Sequence, residues 1–118
     1  MQGEDLVKAC AGYMLEKKGQ QIISLDLRGI SVVADFFLVA TASNTPQAKA
    51  IADHVKDKLA EEAILPLRVE GYREGRWILL DYGTMIIHIF QEEERQYYNL
   101  ERLWGDAPTT AYTPKIAE

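Results

Sequence analysis

ADFFLVATASNTPQAKAIADHVKDKL, residues 34 to 59, carries two periodicities in a single run. Its first nine residues are apolar or small except for Asp35 and Thr41. A strand covered on both faces needs that composition, because neither side meets water, and such a strand is most easily central in a sheet. Ser43, Asn44 and Thr45 then offer side-chain oxygens to the free N–H groups at a helix start. Pro46 is acceptable in that first turn, where its missing N–H has no partner to lose. From residue 46 to about 63 the spacing becomes helical, with Ala48, Ile51, Ala52, Val55 and Leu59 on one face, and Pro66 marks the end.

On the upstream side, Leu6, Val7, Cys10, Ala11, Met14 and Leu15 recur at three- and four-residue spacings, which predicts a packing helix over 4–18 that stops near Gly19. IISLDL, residues 22 to 27, alternates as a strand with one wetter face. On the downstream side, LRVEGY (67–72), WILLDY (77–82) and MIIHIF (85–90) are separated by Arg73-Glu74-Gly75 and Gly83-Thr84, the spacing of an antiparallel meander. The reading is therefore an α/β chain with a mixed five-stranded sheet. Residues 92 to 104, EEERQYYNLERLW, start with carboxylates that suit a helix dipole and put Tyr97, Leu100 and Trp104 on one side. Residues 109–118, in a segment punctuated by Pro108 and Pro114, show no periodicity and are read as a flexible C-terminal tail beyond a single domain of residues 1–108.

At 118 residues one core is favoured over two, since splitting the chain would leave both halves poorly buried. Its apolar share of 47% and charged share of 26% place it among ordinary globular domains, away from disordered or membrane classes. No signal segment or 20-residue apolar span is visible, and the single cysteine, Cys10, has no internal partner, so a cytoplasmic protein is expected. A formal charge of −5 disfavours phosphate-backbone binding and nucleic-acid specificity, and suits a basic protein partner.

Few residues point to catalysis. His54 and His88 have no second histidine or cysteine at a zinc-ligand spacing, so neither a metal nor a cofactor is expected. His88 lies opposite Met85, Ile87 and Ile89 on its strand, where a structural ring, an interface hydrogen bonder and a base all remain open readings. Asp26, Asp35 and Asp81 on or beside strands could hold Mg²⁺ for a nucleotide. The ATASNTPQ turn loosely resembles the phosphate-gripping loop of nucleotidyltransferases, yet it lacks their Gly-Ser start and acid-x-acid pair. Gly71, Gly75 and Gly83 match no phosphate-binding spacing. A better signal is the concentration of Trp77, Tyr82, Tyr97, Tyr98 and Trp104 in the second half. Two long helices and a short one cannot easily cover both sheet faces. An aromatic face left partly open and edged by carboxylates and arginine has the composition of a protein-binding hot spot.

LDLRGIS (25–31), ADFFLVATASN (34–44), PLRVEG (66–71), WILLDYG (77–83), HIF (88–90) and YYNLERLWGDAP (97–108) together resemble the Iojap family, the bacterial ribosomal silencing factors. Two departures are Thr41-Ala42-Ser43, where many members carry a glycine-containing turn, and Thr84, which replaces an acidic residue. The resemblance implies a nucleotidyltransferase-like topology without the catalytic residues, and a non-enzymatic translational repressor acting under nutrient limitation or in stationary phase. It implies binding to the large ribosomal subunit through ribosomal protein uL14, which blocks joining of the small subunit. By position it carries docking roles to Trp77, Leu79, Asp81, His88, Arg95, Tyr98, Glu101, Trp104 and Asp106, with Leu100 and Leu103 in the core. A large-subunit assembly factor and a small Mg²⁺-dependent nucleotide enzyme are the alternative readings, and a weak homodimer of the free protein is plausible on the open face.

Overall fold

The computed structural model describes residues 1–114. Its elements in chain order are α1 (Gly3–Glu16), β1 (Gln20–Asp26), β2 (Phe36–Ala42), α2 (Thr45–Glu61), β3 (Arg68–Glu70), β4 (Trp77–Asp81), β5 (Met85–Gln91), α3 (Glu92–Tyr98), α4 (Leu100–Leu103) and β6 (Thr109–Tyr112). The strands form one sheet in the order β3-β4-β5-β2-β1-β6. β2 and β5 pair in parallel, whereas β1–β2, β1–β6, β3–β4 and β4–β5 are antiparallel. The architecture is thus the expected mixed α/β sheet, with six strands in place of five.

β2 is buried at all seven positions, as its unbroken apolar run requires of a strand between two neighbours and beneath helices on both sides. Asn44 caps α2, its Oδ1 accepting from Gln47 N–H at 2.9 Å, with Pro46 in the first turn. α1 ends at Glu16, short of Gly19: Lys18 takes the left-handed conformation, while Gly19 is where the chain passes closely under the helix, an added Cβ lying 3.1 Å from the Met14 carbonyl.

Alternation sends the strand side chains into two apolar clusters. Ile22, Phe36, Leu38, Ala40, Ile78, Leu80, Met85, Ile87 and Ile89 pack with α1 and α2. Leu25, Phe37, Val39, Ile86 and Phe90 point the other way, towards Leu100 of α4, Ala107 and the partly buried Trp77, Leu79 and Trp104.

Two expectations are corrected by this arrangement. The segment read as a tail from residue 109 provides β6 at its start, with Ser24 opposite Thr110 and the Tyr112 hydroxyl 3.1 Å from Ser24 Oγ; residues 115–118 lie outside the described residues. Being exposed at three of its four positions, β6 is held mainly by backbone bonds to β1, so it leaves no hydrophobic alternation in the sequence. The helix expected over 92–104 is two short pieces, because Asn99 adopts φ +45° and caps α4 by accepting from Arg102 N–H. Among the described residues no helix is long and apolar enough to cross a membrane.

Candidate functional site

The β4–β5 hairpin sets out the site. Its register places Trp77 opposite Phe90, Leu79 opposite His88 and Asp81 opposite Ile86, and the parallel β2–β5 pairing adds Phe37 beside Ile86. Because alternate residues share a face, these side chains lie together on the side away from α1 and α2. Gly71, just after β3, lets the β3–β4 connection close tightly: at φ +75° it comes so near β4 that an added Cβ would lie 2.0 Å from the Trp77 carbonyl oxygen.

The aromatic rings form a continuous set. Trp77 lies 4.9 Å from Phe90 and 4.4 Å from Tyr98, centroid to centroid, and Phe37 meets His88 at 4.5 Å and Trp104 edge-on at 6.1 Å. Such tilted and edge-on pairs contribute attraction beyond the area they bury. Trp77, Leu79 and Trp104 are half-buried and Tyr98 is exposed, so this face is floored by packed rings and topped by accessible ones. Asp81 is engaged by Arg68 at 3.1 Å and Gly83 N–H at 2.8 Å, while Asp106 is exposed two residues after Trp104.

Two of the residues assigned to docking are interior. His88 is 4% exposed, and its Nδ1 accepts from Trp77 Nε1–H at 3.1 Å, which puts the ring's proton on Nε2, a buried atom with no hydrogen-bond partner among the described residues. Burial brings its pKa down to about 4, so the ring is neutral at ordinary pH. It orients Trp77 from below. Arg95 is 6% exposed and donates to the Gln21 carbonyl oxygen and to Thr41 Oγ1 (2.9 Å), while its Nε lies 3.5 Å from Glu101 Oε2. Burial lowers the Arg95 pKa, opposed by the Glu101 carboxylate. The guanidinium therefore joins α3 to α4 and to β1 and β2 of the sheet. Glu101, half-buried, serves the same clamp.

The break also redistributes the helix side chains. Leu100 is buried as expected, but Leu103 is 70% exposed, not core, and Tyr97 is 80% exposed, not on the side of Leu100 and Trp104. A left-handed residue between the pieces rotates everything after it relative to a continuous helix. Tyr97 and Leu103 are thus accessible apolar groups that the sequence motif alone does not single out; the Asn99 in YYNLERLW, a residue that tolerates φ > 0, is the signal that would have found them. Tyr82 leaves the aromatic set altogether, packing against the α1–α2 side with its hydroxyl pushed up to about 12 by burial.

The carboxylates considered for a nucleotide are not assembled. Asp26 is paired with Arg28 at 2.6 Å, Asp81 with Arg68, and Asp35 is exposed on the β1–β2 connection. Among the described residues no three His, Cys, Asp or Glu side chains lie together in a metal-binding group. Cys10 is fully buried and burial pushes its thiol up to about 12, which leaves it unreactive.

A family profile described as "Ribosomal silencing factor during starvation" matches residues 1–118. The chain is 42% identical over 109 residues to the ribosomal silencing factor RsfS of Halalkalibacterium halodurans, covering 92% of this chain and 93% of that protein. It is 43% identical over 108 residues to the Bacillus subtilis protein of that name, covering 92% of each. It is also 39% identical over 72 residues to the chloroplastic Iojap protein of Arabidopsis thaliana, covering 61% of this chain and 30% of that one. In fold it is similar to a crystal structure of a Chromobacterium violaceum protein, with a TM-score of 0.86, 30% identity and coverage of 100% and 94% of the two chains. A Bacillus halodurans structure gives a TM-score of 0.81 at 38% identity, covering 92% and 98%.

Proposed function

The chain belongs to the ribosomal silencing factor family, and from that premise we propose that it represses translation by docking on the large ribosomal subunit through ribosomal protein uL14, where it sterically prevents the small subunit from joining. The observation that carries the docking surface is the partly open aromatic face. It groups Trp77, Leu79, Tyr98 and Trp104 over a packed floor, with Asp81 on the same strand as Trp77 and Leu79, and in this reading the exposed Asp106 serves as a further acidic contact. Binding energy concentrates in such half-buried aromatic anchors, because they exclude water on contact without first having to be ordered. The net charge of −5 favours a basic ribosomal protein over a phosphate backbone. In this reading His88, Arg95 and Glu101 act from beneath the surface, the first by holding Trp77 and the other two by holding α4. The role is regulatory, by obstruction, and requires no chemical step.

Sedimentation of purified large subunits with the protein, followed by small subunits and a count of joined particles, tests the mechanism. Co-sedimentation with reduced joining is the expected result; joining unaffected at saturating protein would refute obstruction. Replacing an anchor, Trp77→Ala or Tyr98→Ala, is expected to weaken binding by about 2 kcal/mol with the fold retained. Unchanged affinity in both variants would move the docking surface elsewhere. Raising salt is expected to slow association more than it speeds dissociation, because rim charges act mainly on encounter; stopped-flow traces with a salt-independent on-rate would contradict that.

A further inference from the structure

At the α3–α4 break a groove of about 490 Å³ is lined by Gln96, Tyr97, Tyr98, Asn99, Arg102 and Leu103. Single exposed apolar side chains are ordinary on a protein surface. Here Tyr97, Tyr98 and Leu103, at 80%, 46% and 70% exposure, surround one concavity. Its charge differs from the rest of the face. Arg28, Arg68, Arg76 and Arg95 each pair with a carboxylate, whereas Arg102, on the groove wall, pairs with none among the described residues, as is also true of Arg73 outside the groove. The groove is also continuous with the aromatic face, because Tyr98 belongs to both: its ring packs 4.4 Å from Trp77 on one side and 5.0 Å from Tyr97 on the other.

We propose that this groove is a separate subsite of the docking face, which receives an aliphatic or aromatic side chain of the ribosomal protein partner next to an Asp or Glu whose carboxylate binds Arg102. The proposal rests on the docking reading above and adds to it the chemistry of one contact. Tyr97 and Leu103 supply apolar walls that gain by losing water, and an unpaired guanidinium offers a carboxylate a planar pair of donors. One arginine is a weak attractant for a nucleic-acid backbone, which is bound by several cations together. A partner that is basic overall thus inserts an acidic and apolar pair at this point, and the opposite polarity of the groove fixes its register on the face.

The test uses the full chain and purified large subunits, with Arg102→Glu, Leu103→Ser and Trp77→Ala measured side by side. Arg102 and Leu103 are exposed, so both groove variants are expected to fold as the parent does. Each is expected to bind roughly tenfold more weakly, and Arg102→Lys to recover part of the loss. If Trp77→Ala weakens binding while both groove variants bind like the parent, the subsite is overturned and the docking reading stands. If all three bind like the parent, the docking reading itself falls, and the subsite with it. A photoreactive phenylalanine analogue in place of Leu103 identifies the occupant: a cross-link to a ribosomal-protein peptide with an apolar residue beside Asp or Glu is expected, and a cross-link to ribosomal RNA would overturn the proposed chemistry.

Discussion

The two faces of the sheet are built from alternate residues of the same strands, yet one is closed and the other is not. On the α1–α2 side, Ile78, Leu80, Met85, Ile87 and Ile89 meet two helices of 14 and 17 residues that cover them completely. On the other side, Trp77, Leu79 and Trp104 remain partly exposed beside helices of seven and four residues, too short to span the sheet. Cover follows helix length at 1.5 Å per residue. The covered face is aliphatic and supplies stability, while the partly covered face is aromatic and presents groups that keep both a packed edge and a wet one. Separating the tasks this way lets the proposed docking surface sit on a packed floor.

The largest expected effect lies on the closed face. Leu80→Ala, at a fully buried position between sheet and helices, is expected to cost about 3 kcal/mol of stability, read from the urea midpoint, with affinity per folded molecule unchanged. A loss of affinity in the folded variant would show that the two faces are coupled.

The open face is expected to carry a pH dependence that the closed face lacks between pH 5 and 7.5. On the closed side Cys10 and Tyr82 titrate near 12 and stay protonated throughout. His88 has a folded value of about 4, below its ordinary 6.5. Its unfolded form therefore takes up a proton first, and stability is complete above pH 6.5 and falls as pH drops towards 4. The loss reaches about 2 kcal/mol by pH 5. Urea titrations of the parent and His88→Phe across this range isolate the contribution, since the variant is expected to lose that part of the slope. An identical slope in both would mean that the ring titrates in the folded protein as it does in the unfolded chain.

A smaller effect is expected at the helix break. Asn99→Ala forces a less tolerant residue to φ +45° and removes the cap on Arg102 N–H, at a combined cost of about 1.5 kcal/mol; Asn99→Gly keeps the conformation and is expected to cost only a few tenths. Affinity for large subunits should follow the same order, because the break positions Tyr98 and Trp104. Equal binding by both variants would detach the break from docking.

Much of this contrast was legible in residue order. The 34–59 run predicted a buried central strand, a helix start capped from Ser43, Asn44 or Thr45, and the helix itself; all are present, with Asn44 as the cap, because each depends on neighbours a few positions apart. The alternation in WILLDY and MIIHIF likewise assigned Trp77 and Leu79 to one face and Ile78 and Leu80 to the other. The motif linking Arg95 to Asp106 could not sort surface from interior. Arg95 and His88 are polar residues in sequence and become internal supports only because Thr41, the Gln21 carbonyl and Trp77 Nε1–H meet them in space.

The sequence by itself determined the α/β class, the element order up to the third helix and the faces of the β4 and β5 residues, since hydrophobic periodicity is a local property of the chain. Only the tertiary structure decided that residues 109–112 close the sheet edge as β6, that Asn99 divides the last helix, and that Leu103 and Tyr97 face solvent while Arg95 does not. Those outcomes turn on backbone hydrogen bonds between segments more than 80 residues apart and on one left-handed residue, neither of which changes the spacing of apolar residues from which a sequence is read.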